Sequence, residues 1–159
     1  MVELAIVFPL LALLLFGIIS FGSVYNNYEA LRQGTRDAAR QAAVGQFAAN
    51  TSCGLTGLSV ATTETRKVMC EAKDLVGLGN NLRVKVTMID TTTAPPYGAV
   101  LVCSQYLQTS VTGLMNQFLG GKILHTQVQM RIEKTLSPAP VSDAETPPSG
   151  GSWSWCTAI

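Results

Sequence analysis

The chain has 159 residues, 47% of them hydrophobic and 13% charged, with a formal net charge of +1. That length allows one compact domain plus a stalk, and the even charge supplies no basic footprint for nucleic acid. A lone histidine, His125, and four cysteines without CxxC spacing argue against a metal centre, and no cofactor is expected.

The first predicted element is apolar. Leu4 to Val24 is a run of 21 residues without a charge, directly behind a lone acid, Glu3, and no Lys or Arg precedes Arg32. At about 1.5 Å per residue such a helix is about 30 Å long, enough to cross a hydrocarbon core. A cleavable signal would need a basic leader, a shorter apolar stretch and a small-residue cleavage site, so the segment reads as retained. An ordinary single-pass anchor would share the length but would not account for a carboxylate at the edge of the run. An ionised group at bilayer depth costs roughly 3 kcal/mol and normally has a partner, and the nearest cation in kind is an α-amino group such as that of Met1.

The helical pattern continues through Val24, Tyr28, Leu31, Thr35, Ala38, Ala42 and Gly45, which recur at alternating steps of four and three. This is a packing seam whose small residues would let another backbone approach. The helix is expected from Val2 to about Ala49, with a kink or unwound turn at Pro9, Gly17 or Gly22. Arg32, Arg36 and Arg40 form a basic stripe that Asp37 serves only in part; it reads equally as a solvated face or as inter-subunit charge pairing. Taken alone the stripe would keep that flank in the cytoplasm, but the cysteines favour placing the C-terminal part outside.

Asn50 to Gly57 is turn-rich and contains a sequon, Asn50-Thr51-Ser52, of a kind common by chance. Val68, Ala72, Leu75 and Val76 predict a short second helix closed by Gly77, Gly79 and Asn80. Leu82, Val84, Val86 and Met88 then alternate with polar residues as a half-buried strand, and Ala99 to Tyr106 reads as a more central one beyond Pro95 and Pro96. Leu107, Val111, Leu114, Met115 and Phe118 predict a brief helix. A third strand turns Leu124, Val128, Met130 and Ile132 inward and presents His125, Gln127, Gln129, Arg131 and Glu133 to solvent. Ser137 to Ser152 reads as extended and poorly ordered. Trp153, Trp155 and Cys156 suggest an end docked back on the domain or on a neighbour, with an exposed tail as the alternative.

Cys53, Cys70, Cys103 and Cys156 allow three pairings or four free thiols. Cys53 with Cys70 and Cys103 with Cys156 is favoured, because the first pair flanks one short segment and the second tethers the tail. No enzyme is expected. Gly121-Lys122 lacks the rest of a phosphate loop, Gly77 and Gly79 complete no dinucleotide motif, and neither HExxH nor GxSxG occurs.

The stretch Val2-Glu3-Leu4-Ala5-Ile6-Val7-Phe8-Pro9-Leu10-Leu11, continued by Leu13 to Ile19 and Phe21-Gly22, resembles the N-terminal motif of TadE-like pilins of tight-adherence (type IVc, Flp-type) pili. The resemblance covers about the first 45 residues, including the Ala-Arg repeats near Ala38 to Ala43, and is echoed weakly by Met130-Arg131-Ile132-Glu133. It implies a precursor in the inner membrane, processed by a prepilin peptidase, extracted by the pilus assembly machinery and polymerised with copies of itself into an extracellular filament. Glu3 would neutralise the N-terminal amine of an adjacent subunit. Type IV pilins usually carry this acid fifth after processing, whereas here it is third from Met1, so two residues precede this numbering or the processing site differs.

The implied fold is α+β: a type IV pilin-like stalk over residues 1–49, a head with a short antiparallel sheet and one or two short helices over 50–136, and a tail over 137–159. A minor tip pseudopilin is one alternative to a bulk subunit. A membrane-anchored adhesin using Trp153, Trp155 and Tyr97 on a glycan or host surface is another.

Overall fold

A computed structural model describes residues 2–45, 53–57, 63–89, 98–109, 120–132 and 142–158. The chain is α+β. One long helix, α1 (Val2–Val44), carries a second helix, α2 (Thr63–Val76), and a sheet of β1 (Leu82–Ile89), β2 (Ala99–Leu107), β3 (Ile123–Arg131) and β4 (Ser142–Ala144). A single 3₁₀ turn, Gly79–Asn81, leads into β1.

α1 runs unbroken through Pro9, Gly17 and Gly22, so the expected unwound turn is absent. Proline removes a single rung, the bond to the Ala5 carbonyl, and 43 residues of otherwise continuous helix absorb it. The helix ends earlier than Ala49: Gly45 takes φ +68° and its amide reaches back to the Ala42 carbonyl at 3.2 Å. Only a residue without a side chain adopts that left-handed conformation freely. Positions 46–49, Asn50 and the sequon lie outside the described residues.

The sheet is antiparallel in the order β3-β2-β1-β4. Strict alternation in β1 buries Leu82, Val84, Val86 and Met88, as their period of two requires. β2 is buried on both faces from Val100 to Tyr106, consistent with its central place. Leu107 is a correction: it ends β2 and does not open a helix, while Val111, Leu114, Met115 and Phe118 lie outside the described residues.

The main core lies between the two helices and one sheet face. Leu31, Ala38, Ala39 and Ala42 of α1 meet Val68, Met69, Ala72 and Val76 of α2 and Val84, Val86, Val100 and Val102 of the sheet. Leu75 does not join them and is 40% exposed. The buried face of α2 runs Thr65, Val68, Met69, Ala72, Val76, and Leu75 sits about 100° away from Val76 on the helix surface. Gly34 sets the separation of the helices. A Cβ there would stand 2.5 Å from Val76 Cγ2 and 2.7 Å from its backbone nitrogen, so any side chain would force α2 outward.

The opposite sheet face is covered by the C-terminal segment, which corrects the expectation of an extended, poorly ordered stretch from Ser137 to Ser152 over residues 142–152; positions 137–141 lie outside the described residues. Ser142–Ala144 pairs antiparallel with β1, from Thr87↔Ser142 to Lys85↔Ala144. Beyond it Trp153, Trp155 and Cys156 pack with Leu101, Cys103 and Ile89. The polar face of β3 is therefore not wholly solvated. His125 is exposed as expected, yet its ring lies 4.7 Å from that of Trp155, and Gln127 Oε1 is buried.

Candidate assembly surface

Two surfaces meet along α1. The N-terminal half is an apolar rod, bare over most of its surface: Leu4, Ile6, Phe8, Leu10 and Leu13 are 66–74% exposed, every large apolar residue from Leu4 to Phe21 is at least 40% exposed, and Ser20, at 2%, is covered. Its most apolar window is 6% buried. Thirteen such side chains, at roughly 1.5 kcal/mol each when covered, amount to about 20 kcal/mol of unrealised burial. That exceeds the whole stability of an ordinary domain, about 5–15 kcal/mol, so the rod needs lipid or other chains around it.

A shallow apolar groove runs along one side of the rod, lined by Leu13, Leu14, Gly17, Ile18, Phe21, Gly22 and Tyr25. Two of its lining residues, Gly17 and Gly22, carry no side chain. A Cβ on Gly22 would meet nothing within 4 Å, so no intramolecular packing accounts for the missing side chain. Gly17 and Gly22, read as kink or unwinding positions from the sequence, line this groove within a continuous helix.

The predicted seam divides. Leu31, Thr35, Ala38 and Ala42 are buried, but their neighbour is the chain's own head and not a second subunit. Val24 is half-buried and Tyr28 is 38% exposed. The Thr35 hydroxyl bonds both the Leu31 carbonyl at 2.7 Å and the Ser104 hydroxyl at 2.8 Å, so two polar groups inside the core satisfy each other. Arg32, Arg36, Asp37 and Arg40 all lie exposed on the far side of α1, open to a partner. Met1 and the side chain of Glu3 are outside the described residues.

The head is held rigid by two disulfides, Cys53–Cys70 and Cys103–Cys156, the pairing that the spacing favours. Between them sits a residue no sequence pattern marks. Glu145 is 1% exposed; its Oε1 accepts from Lys73 Nζ at 2.7 Å and from the Thr56 amide at 3.1 Å, and its Oε2 accepts from the Val84 amide at 2.9 Å. Its carbonyl takes the Trp153 indole N–H at 2.9 Å. One carboxylate thus ties α2, β1, the Cys53 loop and the tail together. Thr65 and Asp143 add a second link between α2 and β4 through a hydroxyl–carboxylate bond.

Trp153 and Trp155 are therefore structural contacts first, with ring centroids 6.1 Å apart and each only partly exposed. Tyr97, grouped with them from the sequence as a contact for a glycan, lies outside the described residues. Among the described residues no cluster of His, Cys, Asp and Glu could hold a metal ion.

The joint between rod and head is equally definite. Asn27 Nδ2 donates to Gln108 Oε1 at 3.1 Å, the Gln108 amide donates to the Lys122 carbonyl at 2.9 Å, and the Gly121 amide donates to the Gln108 carbonyl at 3.2 Å. Gln108 is 2% exposed, a polar side chain fixed by its partners.

Comparison with known proteins agrees with the rod. The family model described as TadE-like protein matches residues 1–40, the apolar segment together with the basic stripe. No curated protein and no solved structure matches the chain.

Proposed function

We propose, from a chain whose first 40 residues match the TadE-like family model, that it is a structural subunit of an extracellular tight-adherence pilus, polymerising with copies of itself and performing no catalysis. The observation that carries this reading is the continuity of α1: one helix is bare and apolar over half its length and the buried spine of a disulfide-stapled head over the other.

Before assembly the bare half is dissolved in the inner membrane, and a prepilin peptidase and the pilus machinery act on it there. After extraction the same surface is covered by other rods. Lipid and neighbouring helices are alike in polarity, so transfer between them turns on packing and on the few polar groups at the ends. The groove at Gly17 and Gly22 offers close approach, and Glu3 offers a charge that an adjacent subunit's amine can neutralise. Arg32, Arg36 and Arg40 remain for pairing between heads.

Glu3→Ala tests the reading. Membrane insertion is expected to be unchanged, since removing a charge from the edge of an apolar helix does not oppose insertion, while the yield of sheared fibres falls sharply. Wild-type fibre yield from Glu3→Ala would eliminate the charge pairing. A minor, tip-initiating role would show instead as fibres that contain the chain at one end only.

A further inference from the structure

The helices α1 and α2 lie side by side, and Gly34 against Val76 marks the line where they touch. Counted from Gly34 at about 100° per residue, Arg32, Arg36 and Arg40 stand about 160°, 160° and 120° round the surface of α1. All three are exposed. Counted from Val76, the acids of α2 turn away by similar angles, Asp74 by about 160°, Glu71 by about 140° and Glu64 by about 120°. Asp74 is exposed, and Glu71 and Glu64 are half-buried. The two-helix layer therefore has a basic outer edge on α1 and an acidic outer edge on α2, and the edges face opposite ways.

Neither edge is neutralised within the chain. Among the described residues no ion pair or hydrogen bond engages any of these six side chains, and Asp37 does not pair with the arginines beside it. Lys67 is the one cation set among the acids and offsets only one of them, while Arg66 and Lys73 stand on other sides of α2. The arginines cover about 12 Å of helix axis and the acids about 15 Å, so one set can lie along the other. A contact between two different surfaces of the same chain is heterologous, and where its rotation does not close it builds an open helix.

We propose that Arg32, Arg36 and Arg40 of one copy dock on Glu64, Glu71 and Asp74 of the next copy, an edge-to-edge contact between heads. The proposal rests on the reading that this chain polymerises with itself. Charge complementarity governs register and choice of partner more than affinity, so the contact sets how successive heads are placed while the rods supply the buried area.

The test reverses each edge in the full chain and measures fibres sheared from cells. Arg32→Glu, Arg36→Glu and Arg40→Glu together, or Glu64→Arg, Glu71→Arg and Asp74→Arg together, set like charges face to face. Either set is expected to cut fibre yield at least about tenfold. Both sets in one chain restore opposite charges at every contact, and yield is expected to return to within about threefold of wild type. Formation of both disulfides, read by intact mass, reports in each variant that the head has folded. A second readout leaves most of the charge in place. Since the described cysteines are all in disulfides, Arg36→Cys with Glu71→Cys supplies the free thiols, and a short bismaleimide on intact fibres is expected to give a ladder of covalent multimers. Either cysteine alone should give none.

Normal yield from either reversed set would overturn the docking and leave polymerisation standing. A loss that the combined set does not recover, with disulfides formed, would do the same, as would covalent dimers from a single cysteine. Where a reversed chain fails to form its disulfides, the cross-link decides, and fibres of the double-cysteine chain without a ladder would overturn the contact. A wild-type chain absent from the fibres would overturn the polymer and the docking together.

Discussion

Lys73 Nζ stands 2.7 Å from Glu145 Oε1, with the two side chains 9% and 0% exposed. The pair joins α2 to the segment just past β4, across 72 residues of sequence. A buried carboxylate is retained only where donors surround it, and Glu145 has its ammonium and two backbone amides. Glu145→Ala leaves the ammonium without its counter-charge and removes the carboxylate oxygen to which the Val84 backbone amide donates. A loss of about 3–5 kcal/mol is expected, read as a lower urea midpoint by tryptophan fluorescence. A loss under about 1 kcal/mol would mean that water already serves both groups.

The Cys103–Cys156 bridge closes a separation of 53 residues and Cys53–Cys70 one of 17, so the chain-entropy estimates are about 4 and about 3 kcal/mol. Cys156→Ser should therefore release the tail. Tryptophan emission is expected to shift to the red as Trp153 and Trp155 leave Leu101 and Ile89, and protease is expected to cut after β4 before it attacks α2. Unchanged emission would show that β4 pairing and the Trp153 bond to Glu145 hold the tail without the bridge.

Two glycines of α1 separate folding from assembly. Gly34→Ala places a methyl 2.5 Å from Val76 Cγ2 and should cost about 1–3 kcal/mol of head stability by pushing the helices apart. Gly22→Leu meets nothing within 4 Å of its Cβ, so head stability should be unchanged while fibre yield drops as the groove fills. Measuring melting and fibre yield on both variants checks the division; a Gly22→Leu protein that polymerises normally would remove the groove from the packing surface.

The parts legible in the sequence were those governed by local period. The uncharged run of α1, the alternation of Leu82 to Met88 and the apolar density of Ala99 to Tyr106 each specify an element without reference to distant residues. The seam at Leu31, Thr35, Ala38 and Ala42 was identified as a buried face, but periodicity says that a face is covered and not by what; the cover is the chain's own α2 and sheet. Ser142–Ala144 carries no apolar alternation, and its pairing with β1 is set by the disulfide and by Glu145 beyond it. Glu145 itself, in a stretch rich in proline and serine, looks like a solvated acid until Lys73 and the Val84 amide are brought to it by the fold. Gly34 was equally silent, since closeness to Val76 depends on a helix 29 residues later in the chain.

The central claim, that the bare rod becomes the interior of a polymer of this chain, is tested most directly by electron microscopy of fibres sheared from cells, with intact-mass analysis of the same material. Helical fibres whose principal component is this chain, with both disulfides formed, are the predicted result. The account is contradicted if the chain stays in the membrane fraction as a dispersed monomer and the sheared fibres consist of another protein.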